Sequence, residues 1–189
     1  MELREGDKSL IVARSFPKNG VATVWVDLKP REIELTEDKV TEYLDEIGAT
    51  DELRTLWQAR KGRGKWQESY AKHAKTIVAV GDTAGDQSWA TPVGMPLELV
   101  PISNPLTARS EQKLTVQILR EGKPLPRWPI GMIVKGQQRR QFETSDAEGK
   151  VTFALRQAGE ALLYAVHLRP QGDGPRWQSD FTTLTLKVR

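Results

Sequence analysis

The chain has 189 residues, enough for one large domain or two small ones with a buried core. Its 28 basic and 25 acidic residues give a formal net charge of only +3, without the basic, aromatic-rich stripe of a nucleic-acid binder. The chain has no cysteine and no apolar run of membrane-spanning length, which excludes disulfides, thiol catalysis and a transmembrane helix. We therefore expect a globular protein with no nucleic-acid partner.

Strand patterns fill the first 35 residues. Leu10 to Val12 form a short apolar run, and the turn signal Asn19-Gly20 precedes a stretch from Val21 to Leu28 rich in β-branched and aromatic residues. Two strands alone do not hold a sheet together in water. We predict that residues 1–35 are a strand remnant of an N-terminal β domain.

The hydrophobic period then changes to that of helices. A first helix carries Val40, Tyr43, Leu44 and Ile47 on one face, between the N-cap Thr36 and the stop at Gly48. Thr50 caps a second helix that carries Leu53, Leu56 and Trp57. A third helix is predicted from the spacing of Trp66, Tyr70, His73, Ala74 and Ile77. Residues 36–80 are thus predicted to be a helical connector.

From residue 95 to the end the pattern is that of β structure. Apolar and polar residues alternate in successive short segments, and turns rich in Gly or Pro recur between them, as at Glu121 to Pro124 and Thr144 to Lys150. Short strands at this spacing are typical of a β-sandwich. We predict a mainly β protein with a helical segment, in which residues 95–189 form an immunoglobulin-like β-sandwich preceded by the connector and two N-terminal strands.

An ordered series of short motifs resembles one bacterial family. The motifs are Ile33 to Leu35, Tyr43-Leu44, Ser69 to Lys75, Val80-Gly81, Gly94 to Pro101, Asn104-Pro105, Glu121 to Leu125, Thr144 to Gly149 and Ala165 to His167. Residues 20–189 are similar to an exported family of unknown function, often labelled a nickel-uptake substrate-specific component or the periplasmic component of a cobalt transporter.

The resemblance implies a secretory signal, an N-terminal β domain that opens with a His-Asp stretch, a helical connector and a C-terminal sandwich. This chain has neither the signal peptide nor the His-Asp opening, and Leu168 stands where the family often has Met. We expect a periplasmic or secreted protein that lacks the family's N-terminal part.

The chain has two histidines as candidate ligands for a transition metal, His73 and His167. His167 closes a predicted strand that Glu160 and Asp173 flank, so the expected metal role rests first on His167 and second on His73. The alternative for both is a hydrogen-bonded structural histidine. Two imidazoles alone bind a metal weakly, so a site also needs an acidic partner.

The six tryptophans divide by their surroundings. Trp25, Trp57 and Trp66 lie on predicted apolar faces and are expected in the core. Trp89 and Trp177 lie in polar loops and are the candidate ligand-binding rings, because exposed indoles stack on sugars. The alternative is that each ring folds back onto the sandwich, since large rings are mostly buried.

Sequence motifs for catalysis are absent: there is no nucleophile elbow, phosphate-binding glycine loop or zinc-protease helix. Asp146 and Glu148 suit a β-turn better than acid–base chemistry. We expect an accessory or binding protein, not an enzyme, associated with nickel or cobalt uptake. Its partners would be Ni²⁺ or Co²⁺ and a membrane transporter component. The alternative is a structural or carbohydrate-contacting module of the cell envelope.

Overall fold

A computed structural model describes residues 2–6, 9–13 and 15–189. It has two helices, α1 (Glu37–Glu46) and α2 (Asp51–Arg60). The strands are β1 (Glu2–Gly6), β2 (Ser9–Ala13), β3 (Gly20–Asp27), β4 (Arg31–Leu35), β5 (Trp66–Val80), β6 (Leu97–Pro101), β7 (Lys113–Arg120), β8 (Lys123–Pro124), β9 (Pro129–Val134), β10 (Gln141–Thr144), β11 (Lys150–Ala154), β12 (Gly159–Pro170) and β13 (Arg176–Val188). No helix in these ranges is long and apolar enough to cross a membrane.

The C-terminal strands form the predicted sandwich. One sheet has the order β11-β7-β6, with β8 added at β7, and the other contains the run β10-β9-β12-β13. Apolar side chains from both sheets fill the space between them, including Leu97, Leu99, Val116, Phe153 and Leu163. Antiparallel strands divided in this way over two sheets are the arrangement of an immunoglobulin-like domain. The predicted fold class, mainly β with a helical segment, is confirmed.

The larger sheet continues beyond the sandwich. Strand β5 pairs in parallel with β13, and both β3 and β4 pair antiparallel with β5, giving seven strands in all. The predicted strands at Leu10 to Val12 and Val21 to Leu28 correspond to β2 and β3, whereas β1 and β4 were not predicted. The division into units 1–35, 36–80 and 95–189 stays a prediction, although β3 and β4 share a sheet with β13.

The third predicted helix is wrong, because residues 66–80 form strand β5. Near its start, β5 buries Trp66 and Glu68 on one face of the sheet, and further on it buries His73, Lys75 and Ile77 on the opposite face. The change of face inserts one odd step into a period of two. The steps from Trp66 to Tyr70, from Tyr70 to His73 and from His73 to Ile77 are four, three and four residues, which is also the spacing of one face of a helix.

The change of face reflects two different coverings of the sheet. Helices α1 and α2 pack on what we call the helix face, where Trp66 and Trp177 lie with Val40, Leu44 and Trp57. The smaller sheet covers what we call the sandwich face, where Ile77 and Leu184 belong to the sandwich core. Buried side chains on both faces make this sheet the centre of the molecule.

Trp25 was expected in the core, and that expectation is wrong: 51% of the side chain is exposed. It lies on β3, the last strand of the larger sheet. Val24 and Val26 beside it are also about two-fifths exposed, at 41% and 40%. The β-branched pattern predicted a strand correctly, but it does not distinguish an edge strand from a central one.

Candidate functional site

Both histidines belong to one cluster of ionisable side chains on the sandwich face. His167 is on β12, opposite Asp180 on β13, and His73 on β5 is opposite Asp27 on β3. The parallel pairing of β13 with β5 places Asp180 beside His73. Four adjacent strands thus contribute one residue each, although these residues are far apart in the sequence.

Asp27 fixes the orientation of the His73 ring. The Nδ1 atom of His73 lies 2.8 Å from Oδ1 of Asp27, a hydrogen bond in which the imidazole donates. In the neutral ring that assignment leaves the lone pair on Nε2, whereas the protonated ring carries an N–H there, so a metal ion at Nε2 would compete with a proton. The side chain of His73 is only 4% exposed, and its Nε2 atom has no hydrogen-bond partner in the described part of the chain.

The free Nε2 atom faces a second carboxylate. It lies 3.6 Å from Oδ1 of Asp180, too far for a good hydrogen bond. Two ligands of a tetrahedral metal ion with bonds of about 2.1 Å are separated by roughly 3.4 Å. The spacing of these two atoms therefore suits a pair of metal ligands. The carboxylates of Asp180 and Asp27 raise the pKa of His73, against the opposing effect of burial.

A further buried polar atom without a partner lies at the same place. Thr182 is fully buried, its Oγ1 atom has no partner among the described residues, and it is the register partner of His73. Two indole nitrogens, those of Trp57 and Trp177 in the helix-face cluster, are also buried without a hydrogen-bond partner among the described residues. Buried polar atoms normally have a hydrogen-bond partner, so this imidazole nitrogen and this hydroxyl on paired positions mark a candidate site.

Arg169 joins His167 to the cluster. One guanidinium nitrogen, Nη1, donates to Oδ2 of Asp180 at 2.8 Å and to Nδ1 of His167 at 3.2 Å. Interactions with His73 and Arg169 lower the pKa of Asp180 to about 2. Burial, followed by the charges of Arg120 and Arg169, lowers the pKa of His167 to about 4. His167 is therefore a neutral hydrogen-bond acceptor near pH 7, with its ring 4.8 Å from that of Trp128.

The cluster offers fewer metal ligands than a complete site. Across the described residues, no group of three or more His, Asp or Glu side chains is arranged to hold a metal ion. His73 and Asp180 present two atoms of the kind that bind metals, and the guanidinium of Arg169 contacts both Asp180 and His167. The geometry thus places His73 ahead of His167, the reverse of the order expected from the sequence.

Sequence reasoning missed Asp27, Asp180 and Arg169. The one available signal is local: Asp180 occupies an alternating position of β13 that otherwise faces the core, and a charged residue at such a position needs a partner. Which partner it has depends on the pairing of β13 with β5 and β12, and no local pattern contains that information.

The two tryptophans predicted to bind a ligand, Trp89 and Trp177, differ in their burial. Trp177 is 1% exposed and stacks on Trp66 with ring centres 4.4 Å apart, so the expectation of an exposed ring is wrong. The flat stacking of two buried rings stabilises the helix-face core and leaves no free surface for a sugar. Trp89 is partly buried and packs against the sandwich core. Trp57 and Trp66 are buried as predicted.

A buried ion pair closes the sandwich face next to His73. Nζ of Lys75 lies 2.6 Å from Oε1 of Glu98, and both side chains are 1% exposed. Glu98 also accepts hydrogen bonds from the backbone amides of Val93, Gly94 and Met95. This pair ties β5 to β6 and to the segment that leads into the sandwich.

Comparison with known proteins gives one match. Searches of the curated proteins and of the solved structures found nothing that matches this chain. The family model described as a domain of unknown function, DUF4198, matches residues 3–169, which is most of the chain and includes Asp27, His73, His167 and Arg169. The chain therefore belongs to the DUF4198 family of proteins of unknown function.

Proposed function

We propose that the chain is a periplasmic or secreted accessory protein that binds Ni²⁺ or Co²⁺ as cargo in metal uptake and is not an enzyme. One observation carries the proposal: the buried, partnerless Nε2 atom of His73 faces the carboxylate of Asp180 at 3.6 Å. The cellular location and a membrane transporter component as partner are carried by the family resemblance alone.

The contact between Asp27 and His73 supports a ligand role for His73. A histidine that binds a metal usually donates its other ring N–H to a carboxylate, which fixes the tautomer and makes the ligating nitrogen more basic. The 2.8 Å contact to Asp27 is of this kind. Imidazole and carboxylate together suit divalent first-row metals, and nickel binds such sites more tightly than cobalt does.

Arg169 is the residue that competes with the metal. Its guanidinium supplies a positive charge to Asp180, and its side chain is 30% exposed, so it has room to turn toward solvent. A metal ion bound to Asp180 would repel this charge, and metal binding is therefore coupled to the departure of Arg169. His167, released from Arg169, is then a neutral imidazole beside the site.

The test is a melting curve of the whole chain with and without Ni²⁺ and Co²⁺. A metal at about 100 times its dissociation constant stabilises the folded state by roughly 2.7 kcal/mol. We expect a metal-dependent shift in the chain, a larger one in Arg169→Gln, and none in His73→Gln or Asp180→Asn. Each variant is compared with its own metal-free curve, so a change in basal stability does not confuse the result.

Glu160→Gln is the matched control, because that carboxylate is exposed and forms an ion pair with Lys135 on the opposite side of β12 from the cluster. It should keep the full metal shift. Absence of a shift in both the unaltered chain and Arg169→Gln would overturn the proposal. So would a shift of the same size in His73→Gln.

A further inference from the structure

An open groove lies on the helix face, away from the histidine cluster. It has a volume of about 390 Å³ and runs between α1 and strands β4, β5 and β13. The residues that line it are Ile33, Leu35, Lys39, Glu42, Tyr43, Glu46, Glu68, Tyr70, Lys72 and Phe181. Aromatic rings and charged groups of both signs thus meet in one concave surface, which is the usual composition of a small-molecule site.

Three aromatic rings form one wall of the groove. The ring of Phe181 is 6.2 Å from that of Tyr43, stacked at 25°, and 6.2 Å from that of Tyr70, nearly edge-on at 74°. All three side chains are only partly buried. The three rings therefore line one side of the same open groove.

The protein places one of its own cations on these rings. Nζ of Lys72 lies 5.3 Å from the centre of the Tyr70 ring and 5.6 Å from that of Phe181. Lys72 is exposed, and within residues 15–189 it forms no ion pair with a carboxylate. Its ammonium is therefore held by the negative faces of two rings, which is the geometry of a cation–π interaction.

A buried carboxylate fixes the wall in place. Glu68 is 2% exposed, lines the groove and accepts hydrogen bonds from Tyr43 Oη at 3.0 Å, from Trp66 Nε1 at 2.8 Å and from the hydroxyl of Ser179. The rim carries Glu42 and Lys39, while Glu46 is paired with Arg140. The ring of Tyr43 is thus positioned before any ligand arrives, and such preorganisation lowers the cost of binding.

We propose that this groove binds a small organic cation with an alkylated ammonium group, which takes the place of the Lys72 ammonium over Tyr70 and Phe181. Lys72 is an exposed side chain with many rotamers, so it can leave the rings for water at small cost. An alkylated ammonium is weakly hydrated, fits against two rings at once and also gains apolar contact with Ile33 and Leu35. The site is independent of the histidine cluster, which lies on the opposite face.

The experiment is an NMR titration of the whole chain with choline and with its neutral carbon isostere, dimethylbutanol. The two probes have the same shape, so the difference between their affinities measures the contribution of the charge. A cation–π contribution of about 1 kcal/mol predicts that choline binds roughly fivefold more tightly than the isostere. The shifted amides should lie in β5 around Lys72 and in β13 around Phe181.

Three variants sharpen the titration. Lys72→Met removes the competing ammonium and keeps the apolar stem, so choline should bind several-fold more tightly than to the unaltered chain. Lys39→Met removes a lysine of the same groove that is not on the rings, and it should change the affinity ratio of the two probes less than Lys72→Met does. Phe181→Leu keeps apolar volume but removes one of the two rings, and it should reduce the preference for choline to what the Tyr70 ring alone provides.

Equal affinity for choline and its isostere in Lys72→Met would overturn the proposal, as would the absence of choline binding to that variant at tens of millimolar. A neutral oligosaccharide that shifts the same amides while choline does not would also overturn it, and would favour the carbohydrate-contacting alternative. The metal melting curves are unaffected by any of these outcomes.

Discussion

The two faces of the central sheet differ in whether a buried ionisable group has all of its hydrogen-bond partners. On the helix face, Glu68 has hydrogen-bond donors at both of its oxygens, from Tyr43, Trp66 and Ser179. On the sandwich face, His73 is almost as buried, yet one of its ring nitrogens has no hydrogen-bond partner among the described residues. Both groups belong to strand β5. Glu68 thus has its hydrogen bonds satisfied within the fold, whereas His73 retains the unsatisfied nitrogen on which the proposed metal site rests.

Lys75 shows that the sandwich face itself is able to satisfy a buried charge. It lies two residues after His73 on the same face and is fully paired with Glu98. The unpaired nitrogen of His73 is therefore not a general property of this face.

The largest expected effect is that of Lys75→Met. The substitution leaves the carboxylate of Glu98 buried without its cation, and loss of one partner of a buried ion pair typically costs about 3–5 kcal/mol. The three backbone amides that still donate to Glu98 favour the lower end of that range. Urea unfolding monitored by tryptophan fluorescence measures the loss.

The double variant Lys75→Met with Glu98→Gln is the control for Lys75→Met. It removes the uncompensated charge and should recover part of the lost stability. A single variant as stable as the unaltered chain would show that the pair contributes nothing.

The next effect in size is that of Glu68→Leu. It leaves the buried indole N–H of Trp66 and the hydroxyls of Tyr43 and Ser179 without their acceptor, so we expect a loss of about 2–4 kcal/mol. Glu68→Gln should cost less, because the amide keeps one oxygen for Trp66 while the hydroxyls are able to accept from its NH₂ group. Urea unfolding measures the loss of stability in both variants. Equal losses in Glu68→Leu and Glu68→Gln would contradict a role of Glu68 in hydrogen bonding.

The contrast between the faces also explains how far the sequence could be interpreted. Helices α1 and α2 and the sandwich strands follow local rules of period, cap and turn, and they were predicted. Strand β5 has the spacing of a helix because its burial changes face between Tyr70 and His73, and that change depends on which elements cover each face of the sheet. The cluster of Asp27, His73 and Asp180 needs the parallel pairing of β5 with β13, which cannot be derived from either strand alone.

A smaller effect is the pH dependence that Glu68 contributes. Burial raises its pKa above the ordinary value of 4.5, against the lowering effect of Ser179, Trp66 and Tyr43. The folded chain therefore holds this proton more tightly than the unfolded chain does. The resulting stabilisation is fully present below pH 4.5 and is lost as the pH rises through the folded-state pKa.

Glu68→Gln removes this titration. The stability of the unaltered chain minus that of Glu68→Gln should therefore decrease as the pH rises from about 4 to about 7. Urea midpoints at several pH values measure the difference, and the subtraction cancels the contributions of all other groups. A difference that increases with pH would mean that the hydrogen bonds outweigh burial and that the pKa of Glu68 is lowered.

The smallest effect tests the sandwich face directly. Thr182→Val replaces a fully buried hydroxyl, which has no partner in the described chain, by a methyl group of similar size. A buried hydroxyl without a hydrogen bond costs stability, so the variant should be more stable by about 0.5–1 kcal/mol. Thr183→Val, at the adjacent half-buried position on the opposite face, is the matched control and should change stability less.

A destabilising Thr182→Val would mean that the Thr182 hydroxyl is bonded to a species in solution. If that species is Ni²⁺ or Co²⁺, or a water molecule bound to the metal, the loss of stability should appear only when the metal is present. A gain in stability with the metal-induced shift unchanged would assign the site to His73 and Asp180 without Thr182.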